Sequence, residues 1–225
     1  MRYHIDTGLI IQKFKEESEC PLCAIQQIVE EQFLHEFLND AVMEDSTREK
    51  VNKHGFCNEH FDKLFFRPNK LSVALQIQTR TDYINKILSP INNSRGAKNQ
   101  AKALEQATSS CIICSYTRES MEKYYKTIAE LFSREPEFIK LFMTSKGFCL
   151  EHYSSLLKYS SYAGGLKNDY IEWLFKVEKR NFERLKGEID AFCVKHDYRN
   201  AKTPLGSAEN ALPKMREKLY GRKEK

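Results

Sequence analysis

KGFCLEH, residues 146–152, is the stretch that decides the fold, because HGFCNEH at 54–60 repeats five of its seven letters. Each copy follows a C-x-x-C. Cys20-x-x-Cys23 is followed after 33 residues by Cys57-x-x-His60, and Cys111-x-x-Cys114 after 34 residues by Cys149-x-x-His152. Offsets of 91 or 92 hold across all four positions, so the chain is an internal duplication.

These residue types at this spacing point to metal. Two thiolates separated by two residues converge from a tight knuckle, and a Cys and a His three apart at a helix start project from one side of it. The helix N-terminus carries partial positive charge and favours the thiolate form of Cys57 and Cys149. Gly55-Phe56 and Gly147-Phe148 make the turn into that helix. The long gap between half-sites is no obstacle, since doubling a loop costs about 0.6 kcal/mol against roughly 10–16 kcal/mol for structural zinc.

Two Cys3His structural sites are therefore expected, from Cys20, Cys23, Cys57 and His60 and from Cys111, Cys114, Cys149 and His152. Ligand softness and tetrahedral preference favour Zn2+, with iron-sulfur as the alternative. Sequence fixes spacing and not proximity, so the ligands could cross between copies. Pairing within each copy is simpler and is the expectation.

The segments between the motifs read as helices. Ile25, Ile28, Val29, Phe33, Phe37 and Leu38 keep one face apolar at a 3.6-residue period, and Met121, Tyr124, Tyr125, Ile128, Leu131 and Phe132 repeat that stripe. Ser46 followed by Glu49 has the capping-box pattern, and Asn58 to Phe66 forms a helix stopped by Arg67-Pro68. Ala74, Ile77, Ile84, Ile87 and Leu88 mark a face of a longer helix. Leu166 to about Phe192 is one long helix, and Pro136 opens a short one. With no alternating strand, an all-α fold of two pseudo-symmetric repeats is expected: residues 1–94, residues 95–200 after the INNSRG loop, and a basic segment 201–225.

Composition narrows the class. The 225 residues have room for one substantial core or two small ones, and 41% hydrophobic with 30% charged residues is ordinary globular usage. No apolar run approaches the roughly 18 residues needed to cross a bilayer. The first residues lack the apolar run of a signal peptide, so a cytoplasmic protein with no membrane attachment is expected. Seven cysteines, an odd number, fit metal rather than disulfides. The net charge of +5 comes from the end: nine Lys/Arg against four Asp/Glu from Lys195 to Lys225 leave 27 of each before it.

Other features have plainer readings. The aromatic residues fill helical cores. Glu59 and Glu151, next to the histidines, face solvent or support the ligands, because four protein ligands leave no open position for a substrate. Cys193-x-x-His196 lacks a partner C-x-x-C, and Cys193 is read as an inward-facing core cysteine. His4, His35 and His54 have no ligand-like companions.

Paired CPLC-type knuckles, each followed by a helix and a GFC-x-x-H, together with Asp197-Tyr198-Arg199 and Ala211-Leu212-Pro213, resemble an uncharacterised family of bacterial and archaeal proteins of unknown function. The likeness runs from Cys20 to about Gly221, through KHGFCNEH and KGFCLEHY. It implies a metal-binding helical protein and supplies no activity, substrate or partner.

The functional expectation is a zinc-binding, non-enzymatic module that docks a protein partner. One alternative is nucleic-acid binding through Lys214, Arg216, Lys218, Arg222, Lys223 and Lys225 of the tail, although Leu212, Met215 and Leu219 are placed to dock that segment on the body. Another is a thiol or metal enzyme or redox sensor.

Overall fold

Few glycines and prolines and a persistent 3.6-residue period leave the helix as the way to satisfy this backbone's polar groups. A computed structural model describes residues 7–195 and 206–222, and there is no strand among them. The first six helices are α1 (Thr7–Lys15), α2 (Pro21–Leu38), α3 (Asp45–His54), α4 (Asn58–Phe65), α5 (Lys70–Ile87) and α6 (Ser94–Thr108). They are followed by α7 (Ile112–Arg134), α8 (Pro136–Thr144), α9 (Leu150–Lys158), α10 (Lys167–Lys195) and α11 (Ala211–Tyr220). His4, His196, Asp197-Tyr198-Arg199, Lys223 and Lys225 lie outside the described residues.

The helices gather into two compact units, one of Ile28–Ser120 and one of Met1–Gln27 with Met121–Lys225. Both divisions fall inside a helix, α2 or α7, and not at the boundary between residues 94 and 95. The reason is helix length. α2 has 18 residues and α7 has 23, about 27 and 35 Å at the usual rise. Each carries the chain away from the C-x-x-C at its start before the GFC turn of the same copy is reached.

In the 28–120 unit the core is built from Leu34, Phe37, Leu38, Val51, Leu64, Val73, Ile112 and Ile113. α3 begins two residues earlier than its capping box requires: Glu44 is the N-cap and makes no side-chain cap, so Ser46 and Glu49 sit inside the helix. INNSRG opens a helix, with the Asn93 side chain accepting from the Gly96 N–H at 2.8 Å. The buried face of α5 is also rotated from expectation. Ala74, Ile77 and Leu88 are exposed, while Ser72, Val73 and Gln76 are buried. Polar side chains turn inward here because they serve backbone carbonyls: Gln76 donates to the Phe37 carbonyl, and Arg80 to those of Asn52 and Ala107.

The other unit is aromatic at its centre. Phe14, Phe132, Phe138, Phe142, Phe148 and Tyr170 lie edge-on, tilted or stacked, with neighbouring ring centroids such as Phe14–Phe138 at 5.0 Å and Phe142–Phe148 at 5.6 Å. The expected stripe of α7 from Met121 to Phe132 is buried throughout. Phe148, the Phe of the second GFC, is completely buried, which holds the turn in place by about 1.5–3 kcal/mol of transfer free energy.

The C-terminal helix docks by other residues than those expected. Leu212 and Leu219 are 54% and 37% exposed, Met215 is half-buried, and the inward positions belong to Ala211 and Lys218. The Lys218 ammonium goes inside because acceptors wait there: the carbonyls of Lys146 and Phe148, and the Glu178 carboxylate at 3.8 Å.

Lys218 and Arg80 do parallel work, each backing one GFC turn. Gly147 has φ +81°, and a Cβ on it would stand 2.6 Å from Glu178 Oε2 and 2.9 Å from Lys218 Nζ; Gly55, at φ +65°, has Arg80 Nη2 3.0 Å from the same position. Gly147→Ala therefore combines left-handed backbone strain, about 1–3 kcal/mol, with displacement of a buried ion pair. Urea denaturation of this variant is expected to show at least that loss.

Candidate metal centres

The two copies of the motif exchange halves. Cys20 and Cys23 meet Cys149 and His152, and Cys111 and Cys114 meet Cys57 and His60, the four ligand atoms of each group all lying within 4.8 Å of one another. Pairing within each copy is thus corrected: each C-x-x-C joins the C-x-x-H of the other copy. Each quartet lies inside one compact unit.

In site 1 the Cys23–Cys20 knuckle is closed by a backbone bond from Cys23 N–H to the Cys20 carbonyl at 3.2 Å. Cys149 is the N-cap of α9, as Cys57 is of α4, so the Cys and His of each C-x-x-H face the same way from one helix start. His152 Nδ1 stands 3.4, 3.5 and 3.1 Å from the sulfurs of Cys20, Cys23 and Cys149, and Cys23 Sγ is 3.7 Å from Cys149 Sγ. Its Nε2 meets Gln26 Oε1 at 2.8 Å. An amide oxygen only accepts, so Nε2 donates and the lone pair is left on Nδ1, toward the sulfurs.

Site 2 repeats this arrangement. His60 Nδ1 lies 3.1, 3.4 and 3.3 Å from the sulfurs of Cys57, Cys111 and Cys114, and Cys57 Sγ is 3.9 Å from Cys114 Sγ. The Ile112 N–H donates to the Gly55 carbonyl at 3.0 Å, tying the knuckle to the GFC turn. His60 Nε2 faces the Glu30 carboxylate at 3.2 Å, and Glu30 also pairs with Lys63.

A tetrahedral zinc with bonds of about 2.3 Å to sulfur and about 2.05 Å to nitrogen has edges of about 3.8 Å between sulfurs and about 3.6 Å from sulfur to nitrogen. The distances in both quartets approach those of one ion's coordination sphere. Exposed or unrelated core cysteines have no reason to converge so closely with an imidazole nitrogen.

Electrostatics agree. In site 1 burial pushes the Cys20 thiol well above its usual range, and hydrogen bonding to Cys149 pushes Cys23 up to about 12. Cys149, receiving hydrogen bonds from both, is pulled far down. In site 2 burial opposes ionisation of Cys111, but the hydrogen bond from His60 overrides it and lowers the thiol to about 6; burial and the charge of Cys111 push Cys114 up to about 12. Burial disfavours a charged His60, yet bonds to Cys111 and Glu30 raise it to about 10. Glu30 falls to about 2: burial works against its charge, and His60 and Lys63 outweigh it. In each quartet one cysteine is thus favoured as thiolate, Cys149 in site 1 and Cys111 in site 2, while Cys20, Cys23 and Cys114 are held as thiols, and in site 2 the protonated His60 balances that charge.

The remaining sequence candidates lie elsewhere. Glu59 and Glu151 are exposed. Cys193 is exposed, correcting its reading as a core residue. His54 Nδ1 lies 3.1 Å from the Ser110 hydroxyl and His35 is exposed. Sequence reasoning missed the supporting groups Gln26, Glu30, Arg80, Glu178 and Lys218. A signal existed for one of them: Gln26 follows Cys23 by three residues on α2, which puts its polar side chain on the ligand face.

An uncharacterised 23.9 kDa protein from the xynA 3′ region of Caldicellulosiruptor sp. (strain Rt8B.4) is 22% identical over 191 residues, covering 85% of this chain and 88% of that protein. No solved structure matches the chain. A family model described as a family of unknown function (DUF6062) matches residues 1–225, and with its duplicated motifs gathered into two Cys3His groups the chain belongs to that family.

Proposed function

We propose that this protein is a helical scaffold held by two structural zinc ions, one at Cys20, Cys23, Cys149 and His152 and one at Cys57, His60, Cys111 and Cys114, and that it works by presenting its surface to a protein partner. The observation that carries this reading is the convergence of both quartets within 4.8 Å. A multi-iron cluster spreads its cysteines over different iron atoms, and a separation this short favours a single ion. Four protein ligands complete a tetrahedron, so the ion supports the fold and leaves no coordination position for a substrate.

The tail adds little to the nucleic-acid alternative. Lys214 pairs with Glu188 at 2.9 Å and Lys218 is fully buried, which removes two of the six basic residues that motivated it. The reading is tested on protein purified without added metal, by elemental analysis with a visible absorption spectrum. Two zinc ions per chain and no colour are expected. Iron with visible absorption, or a metal-free folded chain, would overturn it.

A further inference from the structure

The two quartets have the same ligands and unlike surroundings. In site 1 all four ligands are buried, with Cys20 at 0%, Cys23 at 6%, Cys149 at 1% and His152 at 2% exposure. The segment after α11 covers it. The Arg222 backbone N–H donates to Cys23 Sγ at 3.4 Å, and Gly221 lies so close that a Cβ there would be 3.8 and 3.9 Å from the sulfurs of Cys23 and Cys149. A backbone donor on a thiolate draws off electron density and blocks approach from that side.

Site 2 is less enclosed than site 1. Cys57 and Cys114 are only half-buried, and their sulfurs, 3.9 Å apart, form a single edge of the tetrahedron. Where site 1 sets a neutral Gln26 behind its histidine, site 2 sets the carboxylate of Glu30. A carboxylate behind a ligating imidazole raises its basicity and the electron density of the centre, which makes the accessible thiolates better nucleophiles.

Resting on the two-metal reading, we propose that site 2 is an exchangeable metal site that surrenders its ion to thiol-rich acceptors through the Cys57–Cys114 edge, while site 1, closed by the C-terminal strap, keeps its ion. The exchange is a ligand substitution with no change of oxidation state. An acceptor thiol binds the metal as thiolate, one metal–sulfur bond to Cys57 or Cys114 breaks, and the proton lost by the acceptor goes to the departing cysteine. Repetition transfers the ion. The chain then serves as a donor or sensor of soft divalent metal, with one permanent and one mobile ion.

The test uses the full-length two-zinc protein and the dithiol dimercaptopropanesulfonate. Native mass spectrometry follows zinc per chain, and brief iodoacetamide labelling of the one-zinc species locates the freed thiols; exposed Cys193 labels in every state and serves as the reference. One ion is expected to leave at least about tenfold faster than the other, and the first freed thiols to be Cys57, Cys111 and Cys114. Loss of both ions at one rate, or first labelling at Cys20, Cys23 and Cys149, overturns the inference while leaving the two-metal reading intact. A chain that carries no metal at the outset overturns both. Arg222→Pro removes the N–H from Cys23 Sγ without touching a ligand; it is expected to speed the slow phase by about tenfold and leave the fast phase unchanged. An unaltered slow phase in that variant removes the strap from the account.

Discussion

Stripping both ions with excess chelator is expected to abolish the cooperative unfolding transition and most of the helical circular dichroism, and adding zinc back is expected to restore both. A domain's net stability is about 5–15 kcal/mol, while structural zinc contributes roughly 10–16 kcal/mol, so a fold that spends its centre on ligands is left near or below zero without the ion. Here the ligands are central. Cys20, Cys111, Cys149 and both histidines are buried, and each GFC turn that presents them is left-handed at its glycine. Without an ion Cys23 and Cys114 are held as neutral thiols, up to about 12, and weak thiol hydrogen bonds are left in place of metal–sulfur bonds to hold each group together. A chelated protein melting at the temperature of the untreated one would show that the quartets are incidental to stability.

Lys218→Met is the second large effect, expected to cost about 3–5 kcal/mol. Lys218 is fully buried, donates to the carbonyls of Lys146 and Phe148, and stands opposite Glu178, whose other oxygen accepts from the Phe148 N–H at 2.8 Å. Burial pushes the Glu178 carboxyl up and the Lys218 ammonium down, and the attraction between them opposes both shifts. Methionine keeps much of the volume and removes the charge, leaving Glu178 uncompensated and two carbonyls without their donor. Glu178→Gln in the same chain is expected to recover part of the loss, because the two residues share one interaction. Urea denaturation of the zinc-loaded proteins measures both. A loss under about 1 kcal/mol would place Lys218 with ordinary surface pairs.

Much of this architecture could be read from residue patterns, and the places where reading stopped have physical causes. The periodic stripe of α7 was legible because its inward positions from Met121 to Phe132 are mostly large and apolar, with Thr127 the small polar exception. α5 was not: its inward residues Ser72, Gln76 and Arg80 are polar, Gln76 and Arg80 serving carbonyls of distant segments, and no local period reveals a hydrogen-bond partner 28 or 39 residues away. Lys218 was hidden for the same reason, since in sequence it is one more charge in a basic tail. The eight Cys and His residues that gather into the two groups were legible from their spacing and duplication. Their pairing was not, because spacing carries no information about which knuckle a rigid helix of 18 or 23 residues delivers to which turn.

The crossing of the motif copies is the central claim, and metal content of two double variants tests it most directly. Cys20→Ala with Cys149→Ala removes two ligands of one site and is predicted to leave one zinc per chain, while Cys20→Ala with Cys57→Ala damages both sites and is predicted to leave none. The reverse pattern, one ion retained by Cys20→Ala/Cys57→Ala and none by Cys20→Ala/Cys149→Ala, would mean that each motif copy holds its own ion and would contradict the account.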